Sequence, residues 1–312
     1  MKKALIVGSE GQDGTLLKLL LREKGYAIYG VGRKITSASE QMDGYFSMDL
    51  SGVDFSVLQE FIKVEKPNEI YYVAAFHRSS QESGNGDFSY IEKSISINQL
   101  AFVKVLELCR IYNPTTRIVY TSSSLIYSGT KQLIQDETTP VEPRCIYSLT
   151  KCAAMEAANY FRGAFNMFIS VGIMYNHESS LRNENFLSKK IVNQTRQWFN
   201  KEIDVIKIGD LSAVTDWGYA PDYVEALWHI LQLPAADTFI ISSNNAHKVE
   251  DWFDVLFTHL GSNWRQAVIE DKSILSRDKP VLIGNNQKIL STGWAPRVTF
   301  KEMVLKIYNN TI

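Results

Sequence analysis

Short apolar runs rich in β-branched residues alternate with stretches of helical periodicity over the first 175 positions of the chain. The runs Ala4–Val7, Ala27–Val31, Ile70–Ala74, Ile118–Tyr120 and Met167–Ile173 read as strands. Gly14–Lys24, Val53–Val64, Ile91–Ile111 and Tyr147–Phe161 read as the helices between them. Strands that are apolar on both faces need cover on both faces, and helices returning the chain between parallel strands supply it. The expected architecture is therefore α/β, a doubly wound parallel sheet. Past residue 175 the alternation loosens. Helices expected over Asn185–Asn200, Pro221–Gln232 and Val249–Leu260 are separated by long connections, which points to a smaller, mixed C-terminal part. This divides the chain into residues 1–175 and 176–312. No Pro/Gly/Ser-rich linker separates the two parts, so they are expected to share an interface and to interleave in places.

With 45% hydrophobic and 21% charged residues, the 312-residue chain has ample material for a core, which excludes disorder. Lys+Arg 33 against Asp+Glu 34 leaves a net charge of −1, without the basic excess that a phosphate-tracking surface needs, so no nucleic-acid partner is expected. No apolar run approaches the roughly 18 residues of a membrane helix, and Ala4–Val7 is too short for the core of a signal peptide. The three cysteines, Cys109, Cys145 and Cys152, make neither a disulfide framework nor a metal-ligand spacing. A reducing cytoplasm and no metal are the expectations.

Directly after the first strand stands Gly8-Ser9-Glu10-Gly11-Gln12-Asp13-Gly14, and an amphipathic helix follows. Glycines at such a turn let the backbone bend sharply and approach a pyrophosphate, which then meets the unpaired N–H groups of the helix N-terminus. Among 18 glycines the spacing GxxGxxG alone decides little. Its position between the first strand and the first helix gives it meaning, and points to a Rossmann-type dinucleotide site. After the second strand no acid lies between Ala27 and Ser39, while Arg33 and Lys34 are both present. An acid there suits the ribose of NAD and an arginine suits a 2′-phosphate, so NADP is the expected cofactor and NAD the alternative. Asp49, at the end of the third strand, is placed either to accept a hydrogen bond from the adenine amino group or to cap a helix. Leu50, Ala74 and Ala75, at the ends of the third and fourth strands, complete the candidate cofactor contacts.

Tyr147 and Lys151 stand four residues apart and hence on one helix face. The same spacing recurs at Tyr127 and Lys131, but that pair begins in a Ser-Gly-Thr turn. A tyrosine with its ordinary pKa of about 10 is a poor base at neutral pH. A neighbouring ammonium favours the phenolate, and a shift of about 3 units would take about 4 kcal/mol. Such a pair can move a hydroxyl proton while hydride passes to or from a nicotinamide. Tyr120-Thr121-Ser122-Ser123-Ser124, ending the fifth strand, brings a polarising hydroxyl to the carboxyl edge of the sheet, where ligands bind in open α/β folds.

These residues carry the signature of the extended short-chain dehydrogenase/reductases. Within that superfamily the chain most resembles the GDP-mannose 4,6-dehydratase family, nearly end to end. The resemblance rests on Gly11-Gln12-Asp13-Gly14, on Asn176-His177-Glu178-Ser179 followed by Glu184-Asn185-Phe186 and Lys189-Lys190-Ile191, and on Asp216-Trp217-Gly218-Tyr219-Ala220-Pro221-Asp222-Tyr223-Val224. It implies a nucleotide-diphosphate sugar as substrate, and a homodimer or tetramer formed through Ile91–Ile111 and Tyr147–Gly163. It implies Ser123 as the catalytic Ser/Thr, Tyr147 and Lys151 in the acid/base and cofactor-orienting roles, and Arg33 as the NADP-selecting arginine. Asn176, Lys190 and Arg277 fall where the family holds the nucleotide diphosphate. Glu184, Asn185, Phe186, Leu125 and His77 are further candidate substrate contacts.

The chain departs from the family pattern in three ways. It is shorter than typical members, Val214-Thr215 replaces a basic pair, and Leu125 occupies the slot where dehydratases place a glutamate. His77 and His177 are candidates for extra proton transfer, and Cys145 is expected to line the substrate cleft. The resulting expectation is an NADP(H)-dependent 4-ketoreductase, dehydrogenase or 4-epimerase. A dehydratase with another base and a non-catalytic cofactor sensor are the alternatives. Intact Ser123, Tyr147 and Lys151 argue against the sensor.

Overall fold

The computed structural model describes residues 1–33, 42–77, 87–274 and 280–312. Lys34 and Arg277 lie outside the described residues. The chain runs through β1 (Lys3–Val7), α1 (Gln12–Glu23), β2 (Ala27–Gly32), β3 (Gly44–Ser47), α2 (Ser56–Glu65), β4 (Glu69–Tyr72), α3 (Phe88–Ile95), α4 (Ala101–Tyr112), β5 (Arg117–Ser123), β6 (Ile134–Gln135), α5 (Ile146–Phe165) and β7 (Ile169–Met174). It continues through β8 (Asn176–Glu178), α6 (Leu187–Phe199), β9 (Ile206–Ile208), β10 (Val214–Tyr219), α7 (Ala220–Gln232), β11 (Thr238–Ile241), β12 (Ala246–Lys248), α8 (Val249–His259), β13 (Val268–Glu270), β14 (Ile283–Gly284), α9 (Gln287–Leu290) and α10 (Phe300–Tyr308).

Seven strands form one sheet in the order β11-β7-β5-β4-β1-β2-β3, and every pairing in it is parallel. This is the doubly wound α/β sheet expected from the alternation. Its strands are apolar on both faces because helices cover both, and Ala4, Leu5, Ile6 and Val7 of β1 are fully buried. Helix α1 turns Leu16, Leu17 and Leu21 to the sheet. Burying a side chain such as Leu17 contributes roughly 1.5–3 kcal/mol. Helix α5 starts with a capping box, in which Ser148 N donates to Cys145 Sγ and Cys145 N donates to Ser148 Oγ (3.1 Å). It ends at Asn166, whose φ of 52° is left-handed.

Element boundaries shift where local polar groups compete with periodicity. The fourth strand ends at Tyr72 rather than Ala74, and the fifth runs on to Ser123. The last strand of the first 175 residues starts at Ile169 rather than Met167, because the left-handed turn at Asn166 comes first. The second helix starts at Ser56 rather than Val53, since Asp54 Oδ1 accepts from Ser56 N (2.9 Å) and takes up the chain before it. The expected helix Ile91–Ile111 starts earlier, at Phe88, and a π-turn at Ser96–Leu100 splits it into α3 and α4.

Two apolar clusters hold the structure. The first surrounds the seven-stranded sheet and includes Ala220, Tyr223, Leu227, Ile230, Phe239, Ile240, Ile289 and Trp294 from the second half of the chain. The second, smaller cluster is built around Trp217, Trp252, Phe253, Leu256, Phe257, Met303, Val304 and Ile307. The segment Asp216–Val224 joins them, and each of its residue types has a physical reason. Buried Asp216 accepts from Ser243 N, Ser243 Oγ and Gly284 N, tying together the loops after β11 and at β14. Gly218 leaves the notch that the Tyr223 ring fills, and a Cβ there would collide with that ring. Pro221 sits in the first turn of α7, where its missing N–H costs nothing. Asp222 accepts from the backbone N–H groups of Arg297 and Val298.

Candidate active site

The strand order reverses at β1, whose neighbours are β2 and β4, and ligands of open parallel sheets bind in the crevice beyond the carboxyl ends of such strands. The glycine loop lies there. Gly8 adopts φ +96°, and a Cβ on it would stand 2.6 Å from Ala74 N. A Cβ on Gly14 would run into the Gly8 carbonyl oxygen and the Ser9 backbone. Gly11 is the N-cap of α1, with no side chain closing over the helix end. The result is a backbone-lined cradle at a helix N-terminus, which fits the pyrophosphate of a dinucleotide.

Ser123, Tyr147 and Lys151 meet beside this cradle. β5 carries Ser123 at its last position, and α5 carries the other two in its first turns. The Ser123 hydroxyl accepts from Leu125 N (3.3 Å) and neighbours the Tyr147 phenol closely enough to help lower it. Lys151 is fully buried, donates from Nζ to the Thr121 carbonyl (2.8 Å), and lies 5.7 Å from the Tyr147 ring centroid. Burial pushes the Tyr147 phenol up, and the neighbouring Ser123 hydroxyl and the Arg182 charge offset this only in part. Burial brings Lys151 down to about 7, with Asp13 opposing. The other Tyr-x-x-x-Lys pair is not assembled in this way. Tyr127 is buried and donates to the Asp136 carbonyl, while Lys131 is exposed.

His77, five residues past β4, packs its ring 4.3 Å from the Tyr147 ring centroid, and Phe186 stacks with it at 6.5 Å. Phe186 in turn lies under the Arg182 guanidinium (3.7 Å). Leu125 is half-buried in the 3₁₀ turn after Ser123 and packs on the first core. Cys145 is engaged as the N-cap of α5, a place that asks for no thiol chemistry. His177 is buried on β8 and pairs with Asp13.

The remaining candidates are spread more widely. Arg33 is exposed just past β2, and its charge helps lower Asp49, whose carboxyl is held down chiefly by hydrogen bonds from the Ser51 N–H and hydroxyl. Asp49 lies two residues beyond β3, and Leu50 packs partly on the first core. Ala74 is buried against Gly8 and Ala75 is exposed. Asn176, Glu184 and Asn185 are exposed, and Lys190 is half-buried in the first turn of α6.

Two residues that pattern reading passed over belong to this region. Asn98, fully buried in the π-turn, accepts from Phe76 N (2.7 Å), donates to Phe76 O, and contacts Thr150 Oγ1 (3.1 Å). It thereby fixes the chain just before His77 and the helix just before Lys151. The signal is structural, since π-turns concentrate at functional sites. Glu10 is the second. Its Oε2 would stand 2.8 Å from a Cβ on Gly32, so the glycine loop carries a carboxylate to the end of β2. A search for an acid along β2 alone does not reach it.

The sequence model of GDP-mannose 4,6 dehydratase matches residues 5–307. The chain belongs to the GDP-mannose 4,6-dehydratase family. It is 32% identical over 321 residues to GDP-mannose 4,6 dehydratase 2 of Arabidopsis thaliana, covering 97% of this chain and 85% of that protein. It is 29% identical over 336 residues to GDP-mannose 4,6 dehydratase of Homo sapiens, covering 96% of this chain and 89% of that one. Among solved structures, dTDP-glucose 4,6-dehydratase of Bacillus anthracis in complex with NAD superposes with a TM-score of 0.82 at 18% identity, over 99% of this chain and 96% of that one. UDP-glucuronic acid 4-epimerase of Bacillus cereus, in complex with UDP-glucuronic acid and NAD, gives 0.82 at 17%, over 99% and 98%. Family and fold match what the motifs implied, and the chain is an enzyme of the nucleotide-sugar dehydratase and epimerase group. Among the described residues no helix is long and apolar enough to cross a membrane.

Proposed function

We propose that the protein is an NADP(H)-dependent enzyme that performs redox chemistry at C4 of a GDP-hexose-like sugar nucleotide, as a 4-ketoreductase, dehydrogenase or 4-epimerase, without loss of water. The observation that carries this reading is the assembled Ser123–Tyr147–Lys151 cluster with Leu125 beside it in the place of an acid. When bound, a nicotinamide dinucleotide supplies or accepts the hydride. The cradle of Gly8, Gly11, Gln12, Asp13 and Gly14 would hold its pyrophosphate, with Arg33, Asp49, Leu50, Ala74 and Ala75 along the remainder. Arg33 favours a 2′-phosphate through a charge-assisted contact, whereas Glu10 at the end of β2 favours a ribose hydroxyl.

Tyr147 is the proton-transfer group. Burial keeps it a phenol at neutral pH, the form that donates a proton to a ketone oxygen. Ser123 hydrogen-bonds the same oxygen, and Lys151 orients the cofactor and favours the phenolate when the proton moves. Removing the C5 proton and expelling the C6 hydroxyl would call for a further positioned base, and Leu125 has no titratable group. Asn176, Lys190 and Arg277 are assigned to the nucleotide diphosphate, and His77, Leu125, Glu184, Asn185 and Phe186 to the substrate side. In this division residues 1–175 carry cofactor and chemistry, and residues 176–312 carry the substrate contacts other than His77 and Leu125. Exposed Leu149, Tyr160 and Phe165 on α5 and Leu100 on the π-turn favour a homodimer through these helices.

The test is incubation of the protein with NADP(H) or NAD(H) and a panel of sugar nucleotides, following nicotinamide absorbance for net oxidation or reduction and chromatography of the product for epimerisation. A change in either readout with a GDP-sugar or its 4-keto derivative supports the reading. Silence across the panel contradicts it.

A further inference from the structure

A largely buried ion pair joins two segments 164 positions apart. Asp13 stands in the first turn of α1, and His177 stands in the middle of β8. His177 Nε2 lies 3.1 and 3.2 Å from the two Asp13 carboxylate oxygens, and Nδ1 lies 2.7 Å from the Tyr175 carbonyl oxygen. A carbonyl oxygen only accepts, so Nδ1 carries a proton. An ionised carboxylate also only accepts, so Nε2 carries the other, and the ring is an imidazolium.

Gln12 strengthens the link. Its Nε2 donates to the His177 carbonyl (3.2 Å) and its Oε1 accepts from Ser179 Oγ (2.9 Å). The His177 ring stacks on Tyr223 at 5.2 Å, and Tyr223 fills the notch at Gly218. The glycine loop is thus fastened by side chains to β8, and through β8 to α7 and β10.

We propose that Asp13 and His177 are positioning residues, whose ion pair seats the glycine loop against β8 and so sets the cofactor cradle relative to the strand that enters the C-terminal layer. This rests on the reading of that loop as a dinucleotide cradle.

The groups facing the pair agree with it. Arg182 approaches from the loop after β8, Tyr147 and Lys151 from α5, and Tyr223 from α7. Burial by itself would raise the Asp13 carboxyl and lower the His177 ring. The charge of each and the hydrogen bond between them outweigh this, so Asp13 is held down at about 2 and His177 is raised above 6.5. The clasp is therefore complete between those two limits. It is lost as pH rises through the raised His177 value or falls through the lowered Asp13 value.

The test uses the full chain. Imidazole ¹⁵N NMR of the wild type reports the protonation of His177 across pH without any ligand. Both ring nitrogens are expected to be protonated at neutral pH, and Asp13→Asn is expected to lower the titration. Calorimetry with NADP and NAD reads the positioning. Asp13→Asn and His177→Gln are each expected to weaken cofactor binding on the order of tenfold. The double variant should be no weaker than the weaker single one, because one contact is removed in all three. The alkaline fall in cofactor affinity should be shallower in the variants, because only the contribution of Lys151 remains. If a single variant does not fold, the double variant, with two neutral amides of similar shape, carries the comparison. A neutral His177 at neutral pH, additive losses, or an unchanged alkaline limb in the variants would overturn the proposal. If the wild type bound neither dinucleotide, the cradle reading and the positioning role would fall together, and NMR would still decide the ion pair.

Discussion

On the side of the crevice formed by β1, α1 and β4, the surface is backbone, whereas on the side of residues 180–186, where Phe186 approaches His77, it is side chains on a largely exposed loop. Gly8 touches Ala74 and Gly14 touches Gly8 so closely that neither position has room for a methyl group. Glu184 and Asn185, by contrast, are exposed, and Asn185 N makes only a local turn contact with Asn183 Oδ1 (2.9 Å). The difference teaches where variation is tolerated. A close-packed cradle accepts one ligand shape, and an exposed loop can change its contacts without disturbing the core.

The sharpest contrast is expected at Tyr147. Tyr147→Phe removes the proton-transfer group alone, so turnover should fall by about 10²–10⁴-fold while calorimetry shows cofactor binding nearly intact. Wild-type-like turnover would break the comparison, because the chemistry would then lie elsewhere. Next comes Gly14→Ala, which forces a methyl group into the Gly8 carbonyl. A loss of about 1–3 kcal/mol in denaturant unfolding is expected, with weakened dinucleotide binding. Asn185→Ala on the opposite side should change stability by no more than about 0.5 kcal/mol. Equal losses at the two sites would show that the two sides do not differ.

The buried ammonium gives a pH signature. Lys151 falls from 10.5 in its ordinary state to about 7 in the fold, so between these values the unfolded chain binds the extra proton. Stability should therefore rise with pH across roughly pH 7 to 10, by up to about 1.4 kcal/mol per unit. Thermal melts of Lys151→Met should lack that rise. The smallest effect concerns cofactor choice. Arg33→Ala should shift the NADP/NAD affinity ratio toward NAD, and Glu10→Gln should shift it toward NADP, each by roughly tenfold or less. Unchanged ratios in both variants would place the ribose away from the end of β2.

The two sides also differ in how far the sequence reveals them. The glycine loop, β1 and α1 are contiguous, so spacing alone locates the cradle. Tyr147 and Lys151 share one helix, so their pairing is visible, and the Ser-Gly-Thr turn at Tyr127 already sets Tyr127 and Lys131 apart. The Thr121 carbonyl that holds Lys151 is not visible in the spacing. The return of β11 to the sheet is hidden, since Thr238–Ile241 is one short apolar run among several and its partner β7 lies far upstream. Non-local meetings escape for the same reason. Glu10 reaches Gly32, His77 reaches Tyr147 and Phe186, and Asp13 reaches His177, and no spacing rule joins these positions. The segment Asp216–Val224 is conspicuous as a motif, yet its reason becomes clear only once Tyr223, the Gly218 notch and the two cores are in place.

The central claim, that the Ser123–Tyr147–Lys151 cluster works at C4 without a dehydrating base at Leu125, is tested most directly by mass spectrometry of the product formed from GDP-mannose, or from its 4-keto form, with the cofactor present. The account predicts a product that has gained or lost two hydrogens, or an epimer of unchanged mass resolved by chromatography. A product lighter by one water would contradict it and would assign the missing base to another group, with His77 against the Tyr147 ring the first to examine.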